Sequence, residues 1–406
     1  MQRQSTWLAG GNIVYGAAQF LLLAALATFL TPSDVGEVAY ALALATPLYL
    51  LTDLNLRISV ATDAQHEVPT VRYRAFRRGS VVITAVALIV VLRLQTEGSA
   101  FLVGLMVVAY RAADSLSNLA YGFGLRSQNG DAVGRALAIR GLLGVVASLV
   151  LLAAGASAAV AVGGVAAIWL TLAVREWNRF GVGPLLSTDP LSWGAIRGLV
   201  KRTWSLGADG FVTSLHFNIP RFAVEQIVGL SALGVYATVG TLMNGVSIVA
   251  GAVSAIVVAR MSKALADGRA GDVMRDLRLL VATGVVIAGG LLVFSITIGP
   301  PLLSLIGPEY ADRDLLVAFA LGVSLNIVGQ FFAKPLQAAR RFEVYLTIDT
   351  VAAATTGLTA WWLVTRSGAV GGAVAVALGG LARLVVTIPL TLRSVRASTS
   401  EAVGSD

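Results

Sequence analysis

The stretch "LGADGFVTSLHFNIPRFAVEQIVG", residues 206–229, has the length of a membrane-spanning helix of about 20 residues. It is nevertheless rich in polar groups. They are Asp209, His216, Asn218, Arg221 and Glu225, with Pro220 among them. An ionisable side chain near the centre of a bilayer costs about 2.5–3.5 kcal/mol on insertion scales. The stretch therefore predicts a span that faces a cavity or a protein partner rather than lipid.

The composition of the rest of the chain agrees with a lipid environment. The 406 residues are 56% hydrophobic and 13% charged, with a mean hydropathy of +0.80. Soluble domains carry about 25% charged residues. No cysteine is present, which excludes disulfides and thiolate metal sites. The formal charge of +8 would suggest nucleic acid in a soluble protein. In this chain we expect a lipid bilayer and no nucleic acid as partner.

Apolar runs of similar length recur along the sequence and predict an all-α polytopic membrane protein with about twelve transmembrane helices. The predicted spans are 7–29, 37–60, 79–95, 99–125, 137–154, 157–174, 204–229, 234–259, 278–299, 314–334, 343–365 and 369–392. The first run is too long for the apolar region of a signal peptide and is interpreted as an uncleaved helix.

Basic residues predict the orientation. One set of connections holds most of the Lys and Arg, including the groups at 72–78 and 197–202, whereas the other holds only Arg93, Arg313 and Arg366. Lys and Arg in short loops mark the cytoplasmic side. We therefore expect a multi-pass protein of the cytoplasmic (inner) membrane with both termini inside and only short outer loops.

The predicted spans divide into two halves. We expect an N-terminal six-helix lobe (1–174), a cytoplasmic basic linker (175–203), a C-terminal six-helix lobe (204–392) and a cytoplasmic tail (393–406). Part of the linker mixes apolar and basic residues, which suits either a helix on the inner leaflet or an ordinary basic connection. "VGEVAYA" at 35–41 resembles "LGVYATV" at 233–239. The second half would repeat the first in the same orientation, a parallel pseudo-two-fold repeat.

Several arginines fall within spans. Arg111 has Asp114 three residues away, so cavity function and local pairing are both open. Arg221 and Glu225 are four residues apart, which allows a mutual ion pair. Arg57 lies near the inner end of its span, where it can reach the interface. Arg383 has no carboxylate three or four residues away, so its partner would come from another helix or a ligand.

Two carboxylates, Asp209 and Asp349, are predicted at similar depth in the inner halves of their spans. They could share a proton or bind a small cation, or each could pair separately, for Asp349 with Arg383 or Asn326. His216 lies seven residues after Asp209 on the same helix face. Pro220 removes the backbone hydrogen bond to His216 and favours a kink. His216 is either a site residue or a packed core histidine.

Enzyme signatures are missing. The sequence contains no GxxxxGK[ST] phosphate loop and no HExxH motif. Short outer loops leave little room for an outer catalytic site. We therefore expect neither enzyme activity nor a cofactor, apart from a coupling proton or sodium ion.

Two long stretches resemble one family, the Wzx-type polysaccharide (O-antigen, lipopolysaccharide) flippases of the multidrug/oligosaccharidyl-lipid/polysaccharide (MOP) exporter superfamily. "YRAADSLSNLAYGFGLRSQNGDAVGRALAIRGLLG", residues 110–144, resembles the fourth span and the loop that follows. "FNIPRFAVEQIVGLSALGVYATVGTL", residues 217–242, resembles the family's Asn-x-Pro-Arg segment. The resemblance implies two six-helix lobes in a V, alternating access and a cationic cavity for an undecaprenyl-pyrophosphate-linked glycan. The carboxylates within the predicted spans roughly match the arginines there in number. In this respect the chain departs from the strongly cationic cavity that the resemblance implies.

The sequence thus predicts a flippase for a lipid-linked oligosaccharide in surface polysaccharide biosynthesis, with a glycan polymerase and glycosyltransferases as partners. The alternatives are a MATE-like multidrug or cation antiporter and a membrane-embedded glycan polymerase or ligase. The predicted substrate-binding residues are Arg111, Arg221, Arg383, His216 and Asn326. The predicted cation-coupling residues are Asp209 and Asp349, and no metal site is expected.

Overall fold

Long helices follow the apolar runs along the chain. A computed structural model describes residues 2–63, 67–185, 193–339 and 341–403. Within these ranges the regular elements are thirteen α-helices and one short 3-10 turn, without a strand. The predicted all-α polytopic class is confirmed. Part of the predicted linker (186–192) and the end of the tail (404–406) lie outside the described ranges.

The first seven helices are α1 (Gln2–Phe29), α2 (Pro32–Asp53), α3 (Leu56–Thr62), α4 (Thr70–Gln95), α5 (Gly98–Arg126), α6 (Gly130–Ala153) and α7 (Ala158–Arg179). A capping box starts α2: the Thr31 hydroxyl accepts from the Asp34 backbone N–H, and the Asp34 carboxylate accepts from the backbone N–H of Thr31. Pro32 occupies the first turn, where its missing N–H is not needed. The turn between α1 and α2 is thereby fixed by local sequence.

The remaining helices are α8 (Trp193–Ile227), α9 (Leu230–Ala266), α10 (Ala270–Thr297), α11 (Gly299–Ser304), α12 (Arg313–Ala338) and α13 (Phe342–Val403), with the 3-10 turn Pro308–Tyr310 before α12. α13 is two helices joined at a break, since Ser367 (φ −132°) and Gly368 (φ 56°) are not helical. The break separates the predicted eleventh and twelfth spans. α8 is continuous through Pro220 and begins within the predicted linker.

Nine helical segments of the described residues are long and apolar enough to cross a membrane. The last of them, Glu343–Arg393, contains both final predicted spans. α8 and α9, which contain the predicted seventh and eighth spans, are not among the nine. The chain is a multi-pass membrane protein.

The helices pack into two units, Met1–Ser214 and Leu215–Asp406. The division falls inside α8, so this helix contributes its first part to one unit and its last part to the other. In the first unit α1 lies along α6, and α5 along α7. In the second unit α12 contacts α9, α10 and α13. The proposed lobe and linker boundaries at 174 and 204 stay a prediction.

Small residues allow the closest helix contacts. A Cβ atom at Gly11 of α1 would lie 2.1 Å from the carbonyl oxygen of Gly134 in α6, and one at Gly134 would lie 2.1 Å from the carbonyl of Trp7. Membrane helices associate through such small-residue contacts because lipid supplies no hydrophobic driving force between them.

Candidate functional site

The chain leaves helical conformation within the predicted second span, beside several polar side chains. α2 ends at Asp53 and α3 begins at Leu56, and the residues between them, Leu54 and Asn55, both have φ of 48°. Left-handed backbone costs an L-residue about 1–2 kcal/mol, and Asn adopts it more readily than Leu. Non-helical backbone at membrane depth occurs where it is buried in protein or lines a cavity. This break therefore marks a candidate site.

A cavity of about 360 Å³ lies at the break, within the first unit. Its volume is within the range of about 300–1,000 Å³ that is usual for small-molecule sites. Leucine and isoleucine side chains form part of its wall, together with amide and charged groups. The polar members of the wall are Asn12, Asp53, Asn55, Arg57, Arg77 and Asn118.

Two charged residues of this wall, Arg77 and Asp53, compensate each other. Arg77 of α4 forms an ion pair with Asp53 at the end of α2, and it also donates from Nη2 to the Asp53 carbonyl oxygen at 3.1 Å. Ser115 of α5 accepts from Arg77 Nη1 at 2.9 Å and donates to the Asp53 carboxylate. The carboxylate thus offsets the Arg77 charge and fixes its guanidinium.

Arg57 of α3 supplies a second cation to the wall. Among the residues that the structure describes, no carboxylate lies within ion-pair distance of Arg57. Its guanidinium carbon lies 5.6 Å from the ring centroid of Tyr121, within cation–π range. The described wall of the cavity therefore carries one positive charge in excess. Three asparagines, Asn12, Asn55 and Asn118, add amide groups, so the cavity is suited to an anionic group.

Arg111, a predicted substrate-binding residue, lies elsewhere in the first unit. Its Nη1 atom is 3.2 Å from Asp114 Oδ2, and Tyr15 donates from its hydroxyl to Asp114 Oδ1 at 2.6 Å. The described wall of the 360 Å³ cavity does not include Arg111. The local pair therefore forms, and Asp114 compensates the Arg111 charge.

A further buried pair joins α6 and α7. Arg140 Nη1 lies 3.4 Å from Glu176 Oε2, and Tyr121 donates to Glu176 Oε1 at 2.8 Å. Arg140 also contacts Ser117, and its guanidinium carbon lies 4.2 Å from the Trp169 ring centroid. Both charged side chains are almost fully buried. This cluster ties α5, α6 and α7 together and leaves no charge uncompensated.

In the second unit, His216 of α8 is fully buried in a hydrogen-bonded chain. Asn326 Nδ2 of α12 lies 3.0 Å from the carbonyl oxygen of Gly322 and 3.0 Å from His216 Nε2. The contact with the carbonyl identifies Nδ2 as the amide nitrogen, so it donates to both atoms. His216 Nε2 accepts, and Nδ1 donates to Thr356 Oγ1 at 2.8 Å. The hydroxyl of Thr356 donates to the carbonyl of Ala352.

Asp349 and Arg383 form an ion pair in the same unit. Arg383 Nη2 lies 2.8 Å from Asp349 Oδ1, and the side chains are only 1% and 3% exposed. Asp349 precedes the break in α13 and Arg383 follows it, so the pair connects the two halves of that helix. A Cβ atom at Gly329 of α12 would lie 3.2 Å from Arg383 Cδ, which shows how closely the arginine packs.

The other predicted residues also lie on α8, Asp209 near its middle and Arg221 towards its C-terminal end. Arg221 donates to Asn218 Oδ1 at 3.1 Å, and the structure shows no ion pair between Arg221 and Glu225. Asp209 is partly buried in the first unit, whereas His216 belongs to the second. The roles of Arg111, Arg221, Arg383, His216 and Asn326 in substrate binding, and of Asp209 and Asp349 in coupling, stay predictions.

Sequence reasoning missed most of the cavity wall. Arg57 was interpreted as a residue that reaches the interface, and Arg77 was counted with the basic loop before its span. The break at 54–55 contains neither Gly nor Pro, so these two residues do not predict an interruption of the helix. The sequence signal for the site is a pair of ionisable residues, Asp53 and Arg57, four residues apart within the predicted second span.

Comparisons with known proteins agree with this architecture. No family model matches the chain. The capsular polysaccharide biosynthesis protein CapF of Staphylococcus aureus is 19% identical over 356 residues, which cover 86% of this chain and 89% of the relative. The chain is thus similar to a polysaccharide biosynthesis protein along most of its length.

Solved structures show the same fold. An inward-facing multidrug resistance MATE family transporter of the MOP superfamily has a TM-score of 0.67 and 14% identity, covering 98% of this chain and 96% of that one. An outward-facing multidrug resistance MATE family transporter of the same superfamily has a TM-score of 0.69 and 13% identity, covering 98% of this chain and 96% of that one. A MOP superfamily transporter from Pyrococcus furiosus, noted for the reverse polarity of its binding pocket, has a TM-score of 0.61 and 13% identity, covering 98% and 95%. The resemblance to MOP exporters is confirmed at the level of fold.

Proposed function

We propose that this protein is a flippase that moves an undecaprenyl-pyrophosphate-linked oligosaccharide across the cytoplasmic membrane for surface polysaccharide biosynthesis. The observation that carries the proposal is the excess positive charge of the 360 Å³ cavity, where Arg57 has no described carboxylate partner. The similarity to a capsular polysaccharide biosynthesis protein supports the substrate class. The fold of MATE transporters supports transport rather than bond-making chemistry.

The polar residues of the cavity wall would contribute to pyrophosphate binding in different ways. Arg57 would bind phosphate oxygens, because a guanidinium forms two parallel charge-assisted hydrogen bonds with them. Asn12 and Asn118 would add neutral amide donors. The Arg77 charge is offset by Asp53, so Arg77 would form a fixed part of the wall and would not itself bind the phosphate. Arg111, Arg221 and Arg383 would meet the substrate at other stages of the cycle.

A MATE-like multidrug or cation antiporter is the second candidate, since the solved structures of this fold include multidrug resistance transporters. A cationic drug requires an acidic or neutral cavity. In the first unit the carboxylates of Asp53, Asp114 and Glu176 are each paired with an arginine. The described wall of the cavity therefore favours an anionic substrate over a cationic one.

Substitution of Arg57 tests the proposal in cells. Arg57→Lys keeps the charge but loses the paired hydrogen bonds, and Arg57→Gln removes the charge. We expect export of the surface glycan to fall about tenfold or more with Gln, because a hydrogen bond to a charged group contributes about 1.5–3 kcal/mol, and to fall less with Lys. Membrane levels of the protein should be unchanged.

Arg93→Gln is the matched control, because Arg93 is exposed and lies outside the wall of the cavity. It should support normal export. Normal export by both Arg57 variants would contradict the proposed role of this cavity.

A further inference from the structure

The first turns of α8 form a ridge between two surface depressions. Ile196, Val200 and Trp204 follow one another at four-residue spacing, so they lie on one face of the helix. On one side of this ridge is a cleft of about 450 Å³, shared with α2 and α4. On the other side is a shallower depression that the ridge shares with Arg197 and Lys201. The apolar and basic surfaces are therefore adjacent.

The cleft presents almost only hydrocarbon. Its outer wall includes Ile83 of α4, which is 68% exposed, and Trp204, which is 52% exposed. Two polar residues of the wall are satisfied within the protein: Ser80 donates to the Arg77 carbonyl oxygen, and Thr52 donates to the Leu48 carbonyl oxygen. A cleft of this kind in a membrane protein accommodates an apolar chain and offers nothing to a polar ligand.

The neighbouring cations have no competing partner in the described part of the chain. Arg197 and Lys201 are four residues apart and exposed, and neither forms an ion pair with a described residue. By contrast, Arg202 on the other side of the helix pairs with Glu67 at 2.7 Å. Two exposed cations beside an apolar cleft match a molecule with an anionic head and an apolar chain. The indole of Trp204 suits the boundary between headgroups and hydrocarbon.

We propose that this surface is a binding site for an anionic phospholipid, with one acyl chain in the cleft and the phosphate against Arg197 and Lys201. The charge complementarity distinguishes such a lipid from a zwitterionic one. The site is separate from the 360 Å³ cavity, because Arg57, Arg77 and the asparagines of that cavity do not line the cleft. The inference therefore does not depend on the transported substrate.

Native mass spectrometry of the full chain in neutral detergent, titrated with phosphatidylglycerol or phosphatidylcholine, tests the site. We expect one phosphatidylglycerol to bind in preference to phosphatidylcholine. The double variant R197Q/K201Q should bind it about 30-fold more weakly, since each basic residue near an anionic lipid surface contributes about fivefold. Ala208→Phe, which fills the cleft without changing charge, should weaken binding of the same lipid.

R275Q/R278Q is the matched control, with the same charge change at two exposed arginines of α10, and it should bind as the unsubstituted chain does. Equal affinity of R197Q/K201Q and the unsubstituted chain would overturn the proposal, as would equal affinity for the two lipids or an unaffected Ala208→Phe variant. Preferential displacement of phosphatidylglycerol by a polyprenyl phosphate would also overturn it, because the occupant would then be the chain of a polyprenyl lipid.

Discussion

Three buried ion pairs among the described residues join segments that are far apart in the chain. Arg77–Asp53, Arg140–Glu176 and Arg383–Asp349 each bring together side chains distant in sequence. Removing one partner of a buried pair leaves the other charge without compensation, which is far more destabilising than losing the pair as a whole. These residues should therefore influence stability even where they take no part in transport.

The Glu176→Gln substitution tests whether a buried charge that loses its partner destabilises the protein. The substitution keeps the shape and the contact with Tyr121 but leaves Arg140 without its carboxylate. We expect the free energy of unfolding to fall by about 3–5 kcal/mol, the range found when one member of a buried pair is removed. Thermal unfolding of the purified protein would show this as a lower Tm.

Asp267→Asn is the corresponding control, because Asp267 pairs with Arg269 on the surface. Exposed ion pairs contribute little, so its Tm should remain that of the unsubstituted chain. Equal Tm values for the Glu176→Gln variant and the unsubstituted chain would show that Arg140 finds sufficient compensation in Ser117 and Trp169.

At the residue scale, sequence reasoning identified polar residues but only some of their partners. It selected His216 and Asn326, which the structure joins by a hydrogen bond, and it offered Asp349 as one partner for Arg383. It could not find the pair of Arg77 with Asp53, because packing between helices is not encoded by spacing within one helix. Arg221 and Glu225 have the spacing of an ion pair within one helix, but Arg221 donates to Asn218 instead.

Elements were easier to predict than contacts. Membrane thickness sets the length of an apolar run, so the predicted spans correspond to long helices in the structure. The interruption of the second span was not predicted, since Leu54 and Asn55 are neither glycine nor proline. The kink expected at Pro220 does not end α8, which continues as one helix to Ile227.

One close approach between helices of the first unit can be tested with a pair of neighbouring glycines. A Cβ atom at Gly11 would lie 2.1 Å from the Gly134 carbonyl oxygen, whereas one at Gly10 would meet nothing within 4 Å. Gly11→Ala should therefore separate α1 from α6 and lower the free energy of unfolding by about 1–3 kcal/mol, as overpacking does.

Gly10→Ala should be neutral or slightly stabilising, because Ala has the higher helix propensity by up to about 1 kcal/mol. Thermal unfolding of the two purified variants measures the difference. A Gly11→Ala protein as stable as the Gly10→Ala protein would show that α1 and α6 do not pack at this distance.

At the scale of the whole molecule, the sequence predicts that transport is coupled to an ion gradient, with Asp209 of α8 as a predicted coupling carboxylate. In this hypothesis Asp209 carries the coupling proton or sodium ion through the conformational cycle. Asp209→Asn keeps the shape and removes the titrating group. In reconstituted vesicles we expect this variant to exchange substrate normally but to lose gradient-driven accumulation. Accumulation at the unsubstituted level would leave Asp209 with a structural role and leave Asp349 as the remaining candidate.

Comparison of two substrates in one preparation most directly tests the central claim, that the protein flips an anionic lipid-linked oligosaccharide. The purified chain would be reconstituted into vesicles that contain a polyprenyl-pyrophosphate-linked oligosaccharide on one leaflet, and its arrival on the other leaflet would be followed with an impermeant glycan-binding reagent. Parallel vesicles would be loaded with a cationic dye. We predict protein-dependent flipping of the lipid-linked oligosaccharide, lost in Arg57→Gln, and no movement of the dye. Gradient-driven movement of the dye, with the oligosaccharide left on its original leaflet, would contradict the account.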